Sequence, residues 1–173
     1  MKTKEINVDN VKIKEIDEEV TRVNAFIINS HDEILIASSN GGCQLPGGHV
    51  EEGEDIIETV KREVMEETGI ILDENEISKP FFRIQHKTRN YRNTGKNRLS
   101  NVIYFLVKTD KSVNLNNIKL TENEKECNFS VKYVKIQEFE NHVNSFINST
   151  QIEVNKIIAE EMLIAFDELK LIL

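Results

Sequence analysis

Three glutamates, Glu63, Glu66 and Glu67, fall within the five residues "EVMEE". On a helix, i,i+3 and i,i+4 spacing sets such like charges against one another. Carboxylates so placed lose hydration and repel unless a cation joins them. Hard divalent cations take oxygen ligands of this kind. Mg²⁺ uses one or two carboxylates with waters and substrate phosphates, which leaves a third glutamate to orient or deprotonate a water. The chemistry implied is metal-assisted work on phosphates. Arg62, beside the cluster, is suited to hold a glutamate by a planar bidentate contact. Gly47 and Gly48 in the preceding "LPGG" let backbone approach a metal or phosphate closely.

The element that must carry these groups is a helix. From about Glu54 to Thr68, Ile56, Ile57, Val60 and Val64 recur at helical spacing, and Gly69 is placed to end it. Advancing about 100° per residue from Glu54, the apolar arc covers roughly 200° to 300°. Glu66, Glu63 and Glu67 fall near roughly 120°, 180° and 220°. The carboxylates therefore lie at the edge of the buried face, not opposite it, where charges that serve only solubility belong.

These residues resemble the Nudix hydrolases, whose box reads Gx5Ex7REUxEExGU with U a bulky aliphatic residue. Gly48, Glu54, Arg62, Glu63, Val64, Glu66, Glu67, Gly69 and Ile70 fill every fixed position. The resemblance extends from about Arg22 to Glu140, through "RVNAFIINSHDEILIASS" before the box and "KYVKIQEFE" after it. It implies an α/β/α sandwich with a mixed sheet between helices. It also implies dependence on Mg²⁺ or Mn²⁺, and hydrolysis of a nucleoside diphosphate linked to a further moiety. Carried over, it implies that Glu63, Glu66 and Glu67 bind metal with the Gly48 carbonyl, and that Arg62 orients glutamates. Glu54 becomes a structural partner near the helix start. The general base is Glu66 by this reading, with Glu122, Glu124 and Glu126 of "TENEKE" as alternatives, because members use either a box glutamate or one from a later loop.

Around the box the chain reads as strands and one more long helix. "VNAFII" and "ILIA", separated by "NSHDE", form a hairpin. "SSNGGCQLPGG" holds four of the seven glycines and one of the two prolines, which predicts a loop without regular structure. "FFRIQHK" and "NVIYFLVK" are strands, the second apolar enough to be central and buried on both faces. "FSVKYVKI" alternates as a strand and "QEFENHV" is a short helix. Thr150 with Glu153 makes a capping box that opens a helix over about 150–171, which packs on the sheet or buries a homodimer seam. Strands mixed with helices over 173 residues predict one α/β domain.

Composition excludes several classes. With 39% apolar and 30% charged residues the chain is neither disordered nor membrane-embedded, and it has no apolar run of spanning length. Cys43 and Cys127 are too few for a disulfide framework, so reduced thiols and a cytoplasmic setting are expected. The net charge of −8 argues against general nucleic-acid binding, a capped or triphosphorylated RNA end being the exception weighed.

Against that acidic background, Arg83 to Arg98 holds six basic residues and no acidic one. This concentration suggests an electrostatic guide for a polyanion, the small nucleotide substrate, with Arg83 and Arg89 as phosphate contacts and Tyr91 or His86 stacking on a base. Cys43 stands where many relatives carry tryptophan. Two further readings compete with hydrolysis. One is a non-hydrolytic nucleotide-sensing domain of the same fold, against which the complete set of carboxylates argues. The other, isomerisation of an isoprenoid diphosphate, needs catalytic residues that neither cysteine's context supplies.

Overall fold

Strand β2 (Glu18–Ile28) shows how the layers are built. Successive side chains of a strand point to opposite faces, and β2 sends Val23, Ala25 and Ile27 into one core cluster but Phe26 and Ile28 into another. Strand β6 (Arg98–Lys108) divides likewise, with Ile103, Phe105 and Val107 against Val102, Tyr104 and Leu106. Both faces of these central strands are covered, which is why "NVIYFLV" is apolar throughout. The structure, a computed structural model, describes residues 1–38, 42–119 and 129–173.

The other strands are β1 (Lys2–Ile6), β3 (Glu33–Ser38), β4 (Gly47–His49), β5 (Phe82–Thr88) and β7 (Ser130–Lys135). Their sheet runs in the order β1-β5-β6-β2-β3-β7, with β4 paired to β2. It is mixed: β2 and β6 are parallel, as are β1 and β5, and the other pairs are antiparallel. Helix α1 (Ile56–Thr68) lays Val60 and Val64 on one face. Helices α2 (Phe139–Ser149) and α3 (Glu153–Leu169) cover the other, joining Phe139, Val143, Met162 and Phe166 to Phe26, Phe82 and Tyr104. The rings of Phe139 and Phe166 lie 4.5 Å apart and pin α2 against α3. This is the expected α/β/α sandwich with a mixed sheet between helices. No helix among the described residues is long and apolar enough to cross a membrane.

Three expectations need correction. The glycine-rich stretch is not wholly irregular, since Gly47–His49 pairs with Arg22–Asn24 as β4. At Gly47 (φ 153°) a Cβ would stand 2.1 Å from the Val23 carbonyl oxygen, so only glycine permits that approach. Thr150 does not open the last helix. Its N–H closes α2 onto the Phe146 carbonyl and its hydroxyl accepts from Ile152 N–H, while α3 starts from Ile152 without a side-chain cap. Helix α2 is longer than the short helix expected, running over eleven residues. Strand β1, which sequence reasoning missed, forms the sheet edge beside β5.

Candidate active site

Helix α1 is fixed at both ends. The Asp55 carboxylate accepts from Ile57 N–H at 2.8 Å, and Glu58 reaches back to Asp55 N–H at 3.2 Å, a capping box worth about 1 kcal/mol. At the other end Gly69 turns left-handed (φ 70°) and donates to the Met65 carbonyl. A Cβ there would meet the Asn114 carbonyl oxygen at 2.0 Å, so the position admits no side chain. The helix therefore delivers residues 62–67 to one place.

Arg62 organises that place. Its Nε and Nη2 clasp Glu54 at 2.8 and 2.9 Å. Its Nη1 donates to Glu63 at 2.8 Å and to Glu66 at 3.2 Å, and Nη2 also reaches the His49 carbonyl at 3.0 Å. One guanidinium thus ties the helix start, two box carboxylates and β4 together, a task that needs its planar fork. The Arg62 contacts, first among the causes, hold the Glu54 carboxyl down to about 2 against an ordinary 4.5. A carboxylate depressed in the fold contributes stability that is complete above its unfolded value and is lost as pH falls through the folded one. Acid destabilisation between pH 4.5 and about 2 should therefore be blunted in Glu54→Gln, and melting temperature measured against pH checks it. An equally steep acid limb in the variant would contradict the assignment.

Two glycines bring β4 against the helix. Gly47 N–H donates to Glu67 at 3.0 Å, and Glu67 is only 3% exposed. Gly48 sits where a Cβ would fall 2.2 Å from Glu63 Oε1, so its bare backbone lies directly on that carboxylate. Glu66 is the most open of the Arg62-bound carboxylates, its side chain 33% exposed against 14% for Glu54 and for Glu63. Among the described residues no group of three His, Cys, Asp or Glu side chains forms a ready cation cage. Instead, Glu63 and Glu66 share the Arg62 guanidinium. Glu122, Glu124 and Glu126 lie outside the described residues, as does Cys127. Cys43 is buried, and burial pushes its thiol up to about 11.

The residues nominated as substrate contacts disperse. Arg83 lies on β5 and its Nε donates to Thr3 on β1 at 3.2 Å. Arg89 turns toward Glu15, 3.6 Å away. Tyr91 meets two guanidiniums, with Arg98 at 3.7 Å and Arg92 at 5.2 Å from its ring centroid. The sequence reading overlooked what pairs with His49. Arg22 stands opposite it across β2 and β4, on the α2/α3 face of the sheet. Burial first, then the charges of Arg22, Arg98 and Arg92, hold the His49 imidazole below its ordinary value. Only strand register brings these residues together, so no local spacing signalled them.

Residues 19–150 match the NUDIX domain family. The structure resembles a MutT protein from Methanosarcina mazei Go1 (19% identity over 92% of this chain and 99% of that one, TM-score 0.54). It also resembles the E. coli ORF135 protein (17%, 88% and 94%, 0.53). A third likeness is to the NUDIX domain of Shewanella oneidensis NrtR, solved with ADP ribose (19%, 75% and 80%, 0.50). At these identities the likenesses show the fold. No curated protein matches the chain. The family match spans most of the sequence and contains the complete box from Gly48 to Ile70, so the chain belongs to the Nudix hydrolase family.

Proposed function

We propose that this Nudix hydrolase is a Mg²⁺- or Mn²⁺-dependent pyrophosphohydrolase. It cleaves a nucleoside diphosphate linked to another moiety: a nucleoside triphosphate, a dinucleotide or a nucleotide sugar. The observation that carries this reading is the Arg62 network, which gathers Glu63 and Glu66 beside Gly48 while Glu54 anchors the guanidinium.

The donor set fits a hard divalent ion. Glu63, Glu66, Glu67 and the Gly48 carbonyl offer only oxygen, and the missing Cβ of Gly48 leaves backbone and carboxylate adjacent. When bound, the ion neutralises phosphate charge and makes phosphorus more susceptible to water. This chain's residues do the rest. Glu66, the most open of the Arg62-bound carboxylates, takes the proton of the attacking water. Arg62 sets the orientation of Glu63 and Glu66, and Glu67, held by Gly47 N–H, fixes β4 to the helix. Water adds to one phosphorus as the bridging oxygen leaves with the other phosphate.

Residues 1–173 are proposed to act as one domain, since β1 extends the sheet at one edge and α3 completes one of its cores. A cytoplasmic setting and a small nucleotide as its partner belong to the same proposal. Nucleoside di- and triphosphates, dinucleoside polyphosphates, ADP-ribose and capped RNA should be offered with Mg²⁺ or Mn²⁺. At least one is expected to be cleaved at a phosphoanhydride. Failure with all of them would instead favour a domain that senses nucleotides without hydrolysing them.

A further inference from the structure

On the sheet face opposite α1, β2 carries Arg22 and β6 carries Arg98. Arg22 pairs in register with His49 and Val102, and Glu18 pairs with Arg98 two rungs further along. Glu18 is taken by Arg98 at 2.6 Å, and Glu161 of α3 lies 2.7 Å from His86. Arg22 has no carboxylate partner among the described residues, and its Nε is buried without any hydrogen bond. A buried guanidinium nitrogen left in this state costs about 1–3 kcal/mol or more, so its retention calls for a partner.

Arg92 brings a second uncommitted charge. Its guanidinium lies 5.2 Å from the Tyr91 ring centroid, and it likewise lacks a carboxylate among the described residues. Its backbone is left-handed (φ 49°), flanked by Asn90 (φ 47°) and Asn93 (φ 61°). Asparagine tolerates that region, whereas for arginine it stores about 1–3 kcal/mol of strain. The loop is clamped in this form: Arg89 N–H donates to Asp9, Asn97 N–H to Asp17, and Gly95 N–H to the Asn90 side chain. Strain persisting under such over-determination concentrates where a side chain must be aimed.

We propose that Arg22 and Arg92, with Arg98 and Tyr91 as their platform, form an anion subsite that receives the terminal phosphate of a nucleoside triphosphate. The subsite deepens the proposed hydrolase reading and rests on it only for the reaction. A nucleoside triphosphate carries about two more negative charges than a pyrophosphate diester. Two further unpaired cations across β4 match the added charge of a third phosphate, held by charge-assisted bonds. His49 joins the two regions: its carbonyl accepts from Arg62, and its strand position faces Arg22.

Calorimetric titration of the intact chain with inorganic tripolyphosphate, in a chelating buffer free of divalent ions, tests the subsite without base or chemistry. Wild type is expected to bind tripolyphosphate at least about tenfold more tightly than orthophosphate. Arg92→Gln, on an exposed loop, should lose about tenfold in that affinity. Arg22→Gln should lose as much, and Arg22→Lys should recover part of it by restoring the charge. Thermal melts confirm that each variant folds. Equal binding of tripolyphosphate by wild type and Arg92→Gln, or no binding by wild type, overturns the subsite. A chain that binds tripolyphosphate in this pattern yet hydrolyses no nucleotide would sink the hydrolase reading while leaving the subsite standing.

Discussion

Glu66→Gln is expected to lower kcat by about 10²–10⁴-fold, the range spanned by a positioned general base, with KM changed far less. The effect follows from placement. Glu66 takes the weakest of the Arg62 contacts, 3.2 Å against 2.8 Å for Glu63, and is the more open of the two. An oxygen that is oriented but still reached by solvent is the one able to accept a proton from water. The amide keeps the shape and one donor-acceptor pair but cannot take that proton. The fold should survive, since the Glu66 side chain is 33% exposed. Steady-state kinetics beside a thermal melt separate the two effects. A Gln variant with wild-type kcat would remove Glu66 from the role and direct attention to Glu122, Glu124 and Glu126.

Gly48→Ala should cost about a hundredfold in kcat while leaving stability nearly untouched, an effect carried entirely by geometry. The new methyl would fall 2.2 Å from Glu63 Oε1 and 2.4 Å from its Cδ, so the carboxylate must move by an ångström or more. Because it is the end of a flexible side chain, it can swing aside cheaply. The fold then loses little, but Glu63 leaves both Arg62 and the backbone of β4. Displacement of a catalytic group by about 1 Å is sufficient for a loss of that order. Gly69→Ala makes the contrast, since its Cβ would meet backbone at a left-handed position and damage the fold itself. Full activity in Gly48→Ala would show that the closeness of β4 to Glu63 has no catalytic purpose.

Helix α1 was legible because everything that determines it is local: a 3.6-residue apolar period, an acidic start and a glycine stop. Strand β6 was legible because burial on both faces writes an unbroken apolar run. Strand β1 was not, since Lys2, Thr3, Lys4 and Glu5 are exposed and only pairing with β5 defines it. Thr150 misled because its hydroxyl and N–H serve the turn between α2 and α3. At the site, the box pattern placed Arg62 beside the glutamates, and the wheel set them at the seam. The clasp of Arg62 on Glu54 and the His49 carbonyl depends on how the chain between them folds back. The basic segment announced its charge but not its destinations. Arg89 goes to Glu15, Arg83 to Thr3, and Arg92 to the Tyr91 ring.

Hydrolysis of a cleaved nucleotide in ¹⁸O-labelled water, followed by mass analysis of both products, shows whether water attacks phosphorus at this site. If the box carboxylates direct water onto phosphorus with a divalent ion, one labelled oxygen enters one phosphate product per turnover. Chelation should abolish the reaction, and Mg²⁺ or Mn²⁺ should restore it. Label in neither product, or turnover indifferent to chelation, would contradict the account.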